Sequence, residues 1–270
     1  MASVPQNPAL PLFYKDLIPL NSQQHANWKT RSTDKATWLA GINSVPLTVE
    51  EFPQAQRNFP IIFTAGENPI PLVLMGMNEG TNVFVDEDGT VNTPVYIPAY
   101  VRRYPFMLAK LRPDSDELSL CVDPSSDLVG EIEEGERLFD DEGQPTDTTT
   151  NMLKFCENFE IAGNKTAQFM AELEKHKLLM DGELNIDVGA AQPFNYRGFQ
   201  MVDENKLREV RGDVLRQWNQ NGLLGLIYAH LFSLELVRDI FGRQASQGKV
   251  PNFTPPAAPV ANGVADDVNA

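Results

Sequence analysis

Between residue 45 and about residue 146, apolar residues come in short runs broken by turn formers, a pattern that predicts strands rather than helices. Pro60-Ile61-Ile62-Phe63-Thr64 and Ile70-Pro71-Leu72-Val73-Leu74-Met75 are the clearest runs. Asn82-Val83-Phe84-Val85 and Thr90-Val91 flank Asp86-Glu87-Asp88-Gly89, whose Asp-Gly pair supplies the positive φ angles of a tight hairpin turn. Leu138-Phe139 before Asp140-Asp141-Glu142-Gly143 repeats that arrangement, so both segments are expected to be surface turns between antiparallel strands.

Near Thr150 the period lengthens. Met152, Phe155, Cys156, Phe159, Phe169, Met170 and Leu173 follow spacings of three and four, the stripe of an amphipathic helix. Gly163 interrupts it at a cost of about 1 kcal/mol, which predicts two helices or one with a bend. Asp203 is a candidate N-cap for a second helical block carrying Leu207, Val210, Val214 and Trp218 on one face. Asn221-Gly222 predicts its left-handed end, and Leu223, Leu224, Ile227, Leu231, Leu234 and Val237 then form the face of a last helix. Between the blocks, residues 194–202 predict a returning strand.

The expected fold class is α+β: an antiparallel β-rich N-terminal part packed against C-terminal helices, with a flexible C-terminal tail. Residues 1–45 read as an extended arm, 46–146 as the β-rich part, 147–243 as the helical part of the same globular unit and 244–270 as a disordered tail. The tail is rich in Pro, Ala, Asn, Val and Gly and lacks the apolar surface that offsets ordering entropy.

Composition narrows the function classes. The 270-residue chain is long enough to bury roughly 70–75 % of the surface its unfolded form exposes, so it needs no disulfide or metal staple. With 37 acidic against 22 basic residues its formal charge is −15. That charge speaks against nucleic acid as a partner, since such affinity comes from Lys and Arg displacing counterions, and against an anionic membrane surface. Residues 223–234 form the most apolar window, well short of the about 20 residues of a membrane span. Residues 1–8 hold neither a basic stretch nor an apolar run, so a cytoplasmic location is expected, with cell-surface association through a dedicated exporter left open. Cys121 and Cys156 read as reduced, buried thiols, with a single disulfide as the open alternative.

Few residues carry recognisable chemistry. Neither Gly89 nor Gly143 fits an EF-hand loop, because the first and twelfth positions around each are not oxygen ligands of the required kind. His25, His176 and His230 stand in no zinc spacing, and no nucleophile elbow or phosphate loop is present. No catalytic residue, metal or cofactor is therefore assigned. The most distinctive stretch is Pro94-Val95-Tyr96-Ile97-Pro98-Ala99-Tyr100-Val101-Arg102-Arg103-Tyr104-Pro105-Phe106. On a strand, Tyr96, Tyr100, Arg102 and Tyr104 share one side, and guanidinium with aromatic faces suits a carboxylate, a sugar ring or a peptide. The competing reading pairs one arginine with an internal carboxylate and packs the tyrosines in the core.

Phe13-Tyr14-Lys15-Asp16-Leu17-Ile18-Pro19-Leu20 with His25, Phe59-Pro60-Ile61-Ile62-Phe63, the residues 96–106 block, Gly198-Phe199 and His230-Leu231-Phe232-Ser233-Leu234 occur in an order that resembles the bacterial SapC family over about residues 10 to 243. The resemblance implies association with a paracrystalline surface layer. It also implies gene neighbours that are outer-membrane (TonB-dependent) receptors, flavin-dependent halogenase-like proteins and cupin-like proteins. It brings no catalytic residue set; His25, Arg102 and Arg103 are positions of its motifs. The expected function is an accessory or binding protein partnered with a surface-layer or outer-membrane receptor system. The ligand-binding candidates are His25, Tyr96, Tyr100, Arg102, Arg103 and Tyr104. The alternative is an enzyme or substrate-handling protein for a peptide, amino acid or sugar, with His25 as acid or base, and a tyrosine-mediated homodimer is a third option.

Overall fold

The computed structural model describes residues 10–112, 117–186 and 194–250. The expected arm contributes three short strands, β1 (Ile18–Pro19), β2 (Lys29–Thr30) and β3 (Ser44–Pro46). A turn of helix, α1 (Phe52–Ala55), leads into β4 (Ile61–Thr64) and β5 (Pro71–Leu74), the two apolar runs read as strands. The Asp-Gly hairpin turn forms as a tight loop, with Val85 bridged to Val91 and Gly89 at φ 84°. The second turn likewise bridges Phe139 to Pro145, with Gly143 at φ 76°.

Where a strand was expected over the tyrosine-arginine stretch, the chain makes a single helical turn, α2 (Ala99–Arg102). The physical reason is the way the start of the turn is capped. Pro98 sets the N-cap, and the Ala99 N–H that would otherwise be orphaned donates to the Glu51 carboxylate at 2.6 Å. Strands β6 (Phe106–Lys110), β7 (Leu118–Val122), β8 (Val129–Gly130) and β9 (Glu136–Arg137) follow.

The long amphipathic stripe becomes one helix, α3 (Asp147–Lys175), continuous through Gly163. After it come two strands, β10 (Leu179–Ile186) and β11 (Phe194–Val202). The returning strand β11 was expected, whereas β10 was not read, because Leu179-Met180-Asp181-Gly182-Glu183 has neither clean alternation nor β-branched residues. Asp203 caps α4 (Glu204–Arg208) through Asn205 N–H at 2.9 Å. The expected second helical block breaks after this short helix, and α5 (Gly212–Asn221) begins anew. Gly222 ends α5 at φ 83°, and α6 (Leu223–Ser233) and α7 (Val237–Ser246) complete the body. Residues 244–250, expected to belong to a mobile tail, are instead folded against the body. Gln244 is fully buried and accepts from Met77 N–H at 2.8 Å, and Val250 is buried as well. The rest of that expectation, 251–270, lies outside the described residues.

Among the described residues there are three antiparallel sheets, in the orders β1-β7-β6, β10-β11-β4-β5-β3 and β8-β2-β9. The fold is α+β. The larger core joins the five-stranded sheet to α3, α5, α6 and α7 through Phe63, Phe169, Leu173, Trp218, Ile227 and Ile240. A smaller core lies between the β6–β7 pair and the first turns of α3, around Phe106, Val122, Leu138 and Cys156. The tyrosine-arginine turn sits where the two cores meet. No helix among the described residues is long and apolar enough to cross a membrane.

Candidate functional site

Glu51 builds the site from beneath. Its side chain is buried, and each oxygen accepts two hydrogen bonds. Oε2 takes Thr48 N–H at 3.0 Å and Thr48 O–H at 2.9 Å; Oε1 takes Tyr96 O–H at 2.9 Å and Ala99 N–H at 2.6 Å. One carboxylate thereby holds Tyr96 and the start of α2. Burial, with the neighbouring Glu51 charge, pushes the Tyr96 phenol up to about 12, so it remains a donor.

The helical turn groups Tyr100 with Arg103 rather than with Arg102. Tyr100 and Arg103, three residues apart, face inward. Arg103 is buried, its guanidinium 4.5 Å from the Tyr100 ring centroid and 4.2 Å from that of Phe159, with Glu160 at 3.7 Å. Its Nε has no hydrogen-bond partner. Tyr100 O–H donates to Leu12 C=O at 3.1 Å. These two side chains are part of the packing.

Arg102 points the other way and is exposed. Its Nε donates to Ile97 C=O at 3.0 Å and an Nη to Tyr96 O at 3.3 Å, while the guanidinium lies over the Phe155 ring at 5.1 Å. No carboxylate stands within ion-pair distance of it among the described residues. The structure thus brings Tyr96 and Arg102 together and sets Tyr100 and Arg103 apart from them. Tyr104 has its ring 5.0 Å from Trp38.

Arg102, Tyr104 and Trp38 line a cleft of about 760 Å³. One wall is the residues 97–106 stretch, a second is the loop after β2, and a third is the turn before β9 with the start of α3. Val101, Ile97, Leu128 and Met152 make much of the lining apolar. Gly135 fixes the third wall: at φ 128°, a Cβ there would sit 2.5 Å from Thr30 O, so only glycine lets this turn close on β2. Two of the three cations on the walls are already neutralised, Arg31 by Asp127 at 2.7 Å and Lys35 by Asp88 at 2.7 Å. Arg102 is the third.

His25 is not on the cleft wall. It is buried against the Trp28 ring at 4.3 Å, its Nδ1 accepts Asn21 N–H at 3.1 Å, and burial holds its pKa below the ordinary value. Cys121 and Cys156 are both free and buried, and burial pushes the Cys156 thiol up to about 12, where it is a poor nucleophile. No group of three or more His, Cys, Asp or Glu side chains among the described residues is arranged to hold a metal ion. Sequence reading missed Glu51, Trp38 and Gly135. Only Glu51 had a signal: Thr48-Val49-Glu50-Glu51 is a capping-box pattern.

An α+β protein with a guanidinium that lacks an acidic partner among the described residues, lining a partly apolar cleft, is thus defined by fold and geometry. The chain belongs to the SapC family, whose model matches residues 20–240. No curated protein and no solved structure matches it.

Proposed function

We propose that this chain is a binding protein that receives a small organic carboxylate with an apolar body in the cleft beside Arg102. One observation carries the reading. In a chain of charge −15, the Arg102 guanidinium stands at the cleft without an acidic partner among the described residues, although the cleft's other two cations have one. Guanidinium forks favour carboxylates, and a cleft of this volume is in the range of small-molecule sites. The family resemblance supplies the setting we propose with it, an accessory role beside a surface-layer or outer-membrane uptake system. Pull-down from native cells that returns no envelope protein would remove that setting. Acid–base chemistry by His25 is left out of the proposal, because that side chain is not on the cleft wall.

Thermal shift tests the binding itself. The panel is phenylpropionate, octanoate, phenylalanine and phenylalanylphenylalanine, each against wild type, Arg102→Ala and the control Arg112→Ala. A ligand at one hundred times its dissociation constant stabilises by about 2.7 kcal/mol. The expected result is stabilisation of wild type and Arg112→Ala by at least one member, abolished in Arg102→Ala. A panel without effect, or one that acts equally on Arg102→Ala, overturns the proposal.

A further inference from the structure

Resting on that reading, we infer that the ligand is a zwitterion: an α-ammonium carboxylate with a large apolar side chain, taken up as a free amino acid or a short peptide with free ends. The inference comes from the remaining charges of the cleft. Asp34, Glu134 and Glu136 also line it, and none of the three lies within ion-pair distance of a cation among the described residues. Glu136 accepts the Thr148 hydroxyl. Glu134 is exposed and is held at the cleft by the Gly135 turn pressed onto β2. Once the Arg31–Asp127 and Lys35–Asp88 pairs are discounted, one wall offers a single cation without an ion-pair partner and the others offer carboxylates without one, Asp34 being coupled to Lys35 only at longer range. A simple anion would satisfy the first wall and be repelled by the rest. A ligand with both charges satisfies both, its carboxylate on Arg102 and its ammonium towards Glu134 and Asp34. Its side chain then rests on the apolar surface of Val101, Met152 and Trp38. Such a layout selects against the wrong ligand by unpaired charge as well as for the right one by pairing.

Calorimetric titration of the full chain distinguishes the possibilities. The probes are phenylalanine, phenylalanylphenylalanine, N-acetyl-phenylalanylphenylalanine, phenylalanylphenylalanine amide and phenylpropionate. Removing either end charge is expected to weaken binding about ten-fold or more, because a hydrogen bond to a charged group is lost. The Asp34→Asn/Glu134→Gln double variant should erase the difference between the free and N-acetylated dipeptides, and Arg102→Ala that between the free dipeptide and its amide. Preference for phenylalanine over the dipeptide, or the reverse, assigns the source as amino acid or peptide. If the N-acetyl form or phenylpropionate binds as tightly as the free zwitterions, in an Arg102-dependent way, the zwitterion inference falls while the carboxylate proposal stands. If no probe shows Arg102-dependent binding, both fall.

Discussion

A carboxylate that accepts four hydrogen bonds while nearly shielded from solvent is costly to disturb. All four partners of Glu51 are donors, so in Glu51→Gln the amide end would face two donors with none of its own lone pairs. Loss of charge-assisted bonds predicts destabilisation by about 3 kcal/mol in urea unfolding, and a loss below about 0.5 kcal/mol would show that the network is not what holds α2. His230 acts through its protonation state. It is fully buried and stacked on Phe63 at 4.5 Å; Nδ1–H donates to Ile61 C=O at 2.8 Å and Nε2 accepts Val202 N–H at 3.1 Å. Burial lowers its pKa from 6.5 to about 4. Above the ordinary value, neither folded nor unfolded chain protonates it. Below that value the unfolded chain takes a proton that the folded one refuses. Stability therefore falls as pH drops to about 4, by about 3 kcal/mol in all. The stability gap between wild type and His230→Phe should narrow by that amount between pH 7 and pH 4; a constant gap would exclude this role for the imidazole.

At the scale of elements, two glycines have opposite roles. Gly182 lies at the bulge of β10, where an added Cβ would come within 2.2 Å of the buried Phe199 ring. Gly163 lies within α3, and a Cβ there meets nothing within 4 Å. Gly182→Ala is expected to cost about 1–3 kcal/mol by forcing that ring to move, and Gly163→Ala to add about 0.5–1 kcal/mol by restricting the unfolded chain. Urea midpoints moving in opposite directions would bear this out; a shift in the same direction would not. The element the sequence misled on is α2. Alternation of tyrosine and arginine reads as a strand face, but the nearest orphaned N–H found a carboxylate from a segment 48 residues away, and the chain turned helical. With the change of period, Tyr100 left the side of Arg102 and came to pack against Arg103.

For the molecule as a whole, α3 is the connection between two cores. Its 29 residues span about 44 Å. Met152, Leu153 and Cys156 pack into the smaller core, and Phe169, Met170 and Leu173 into the larger. A rigid element shared in this way should make unfolding one transition, with near-UV and far-UV circular dichroism coinciding along a urea titration. Two separated transitions would mean that the helix breaks between the cores. The cleft also belongs to this scale, since its walls come from the loop after β2, the α2 region, the turn before β9 and the first turns of α3.

The sequence by itself determined the elements whose cause is local. Apolar periodicity produced β4, β5 and α3; Asp203 and Gly222 marked helix ends; the Asp-Gly turn closed on its own backbone; and the excess of acids set the charge. Residue motifs also carried the family. Tertiary structure alone decided which cations stay unpaired, because Asp127 and Asp88 lie far along the chain from Arg31 and Lys35, and pairing depends on distance in space. It decided as well that Arg103 is packed between rings while Arg102 faces a cleft. Which of the two sides is covered depends on Phe159 and Glu160 of α3, more than fifty residues further along the chain.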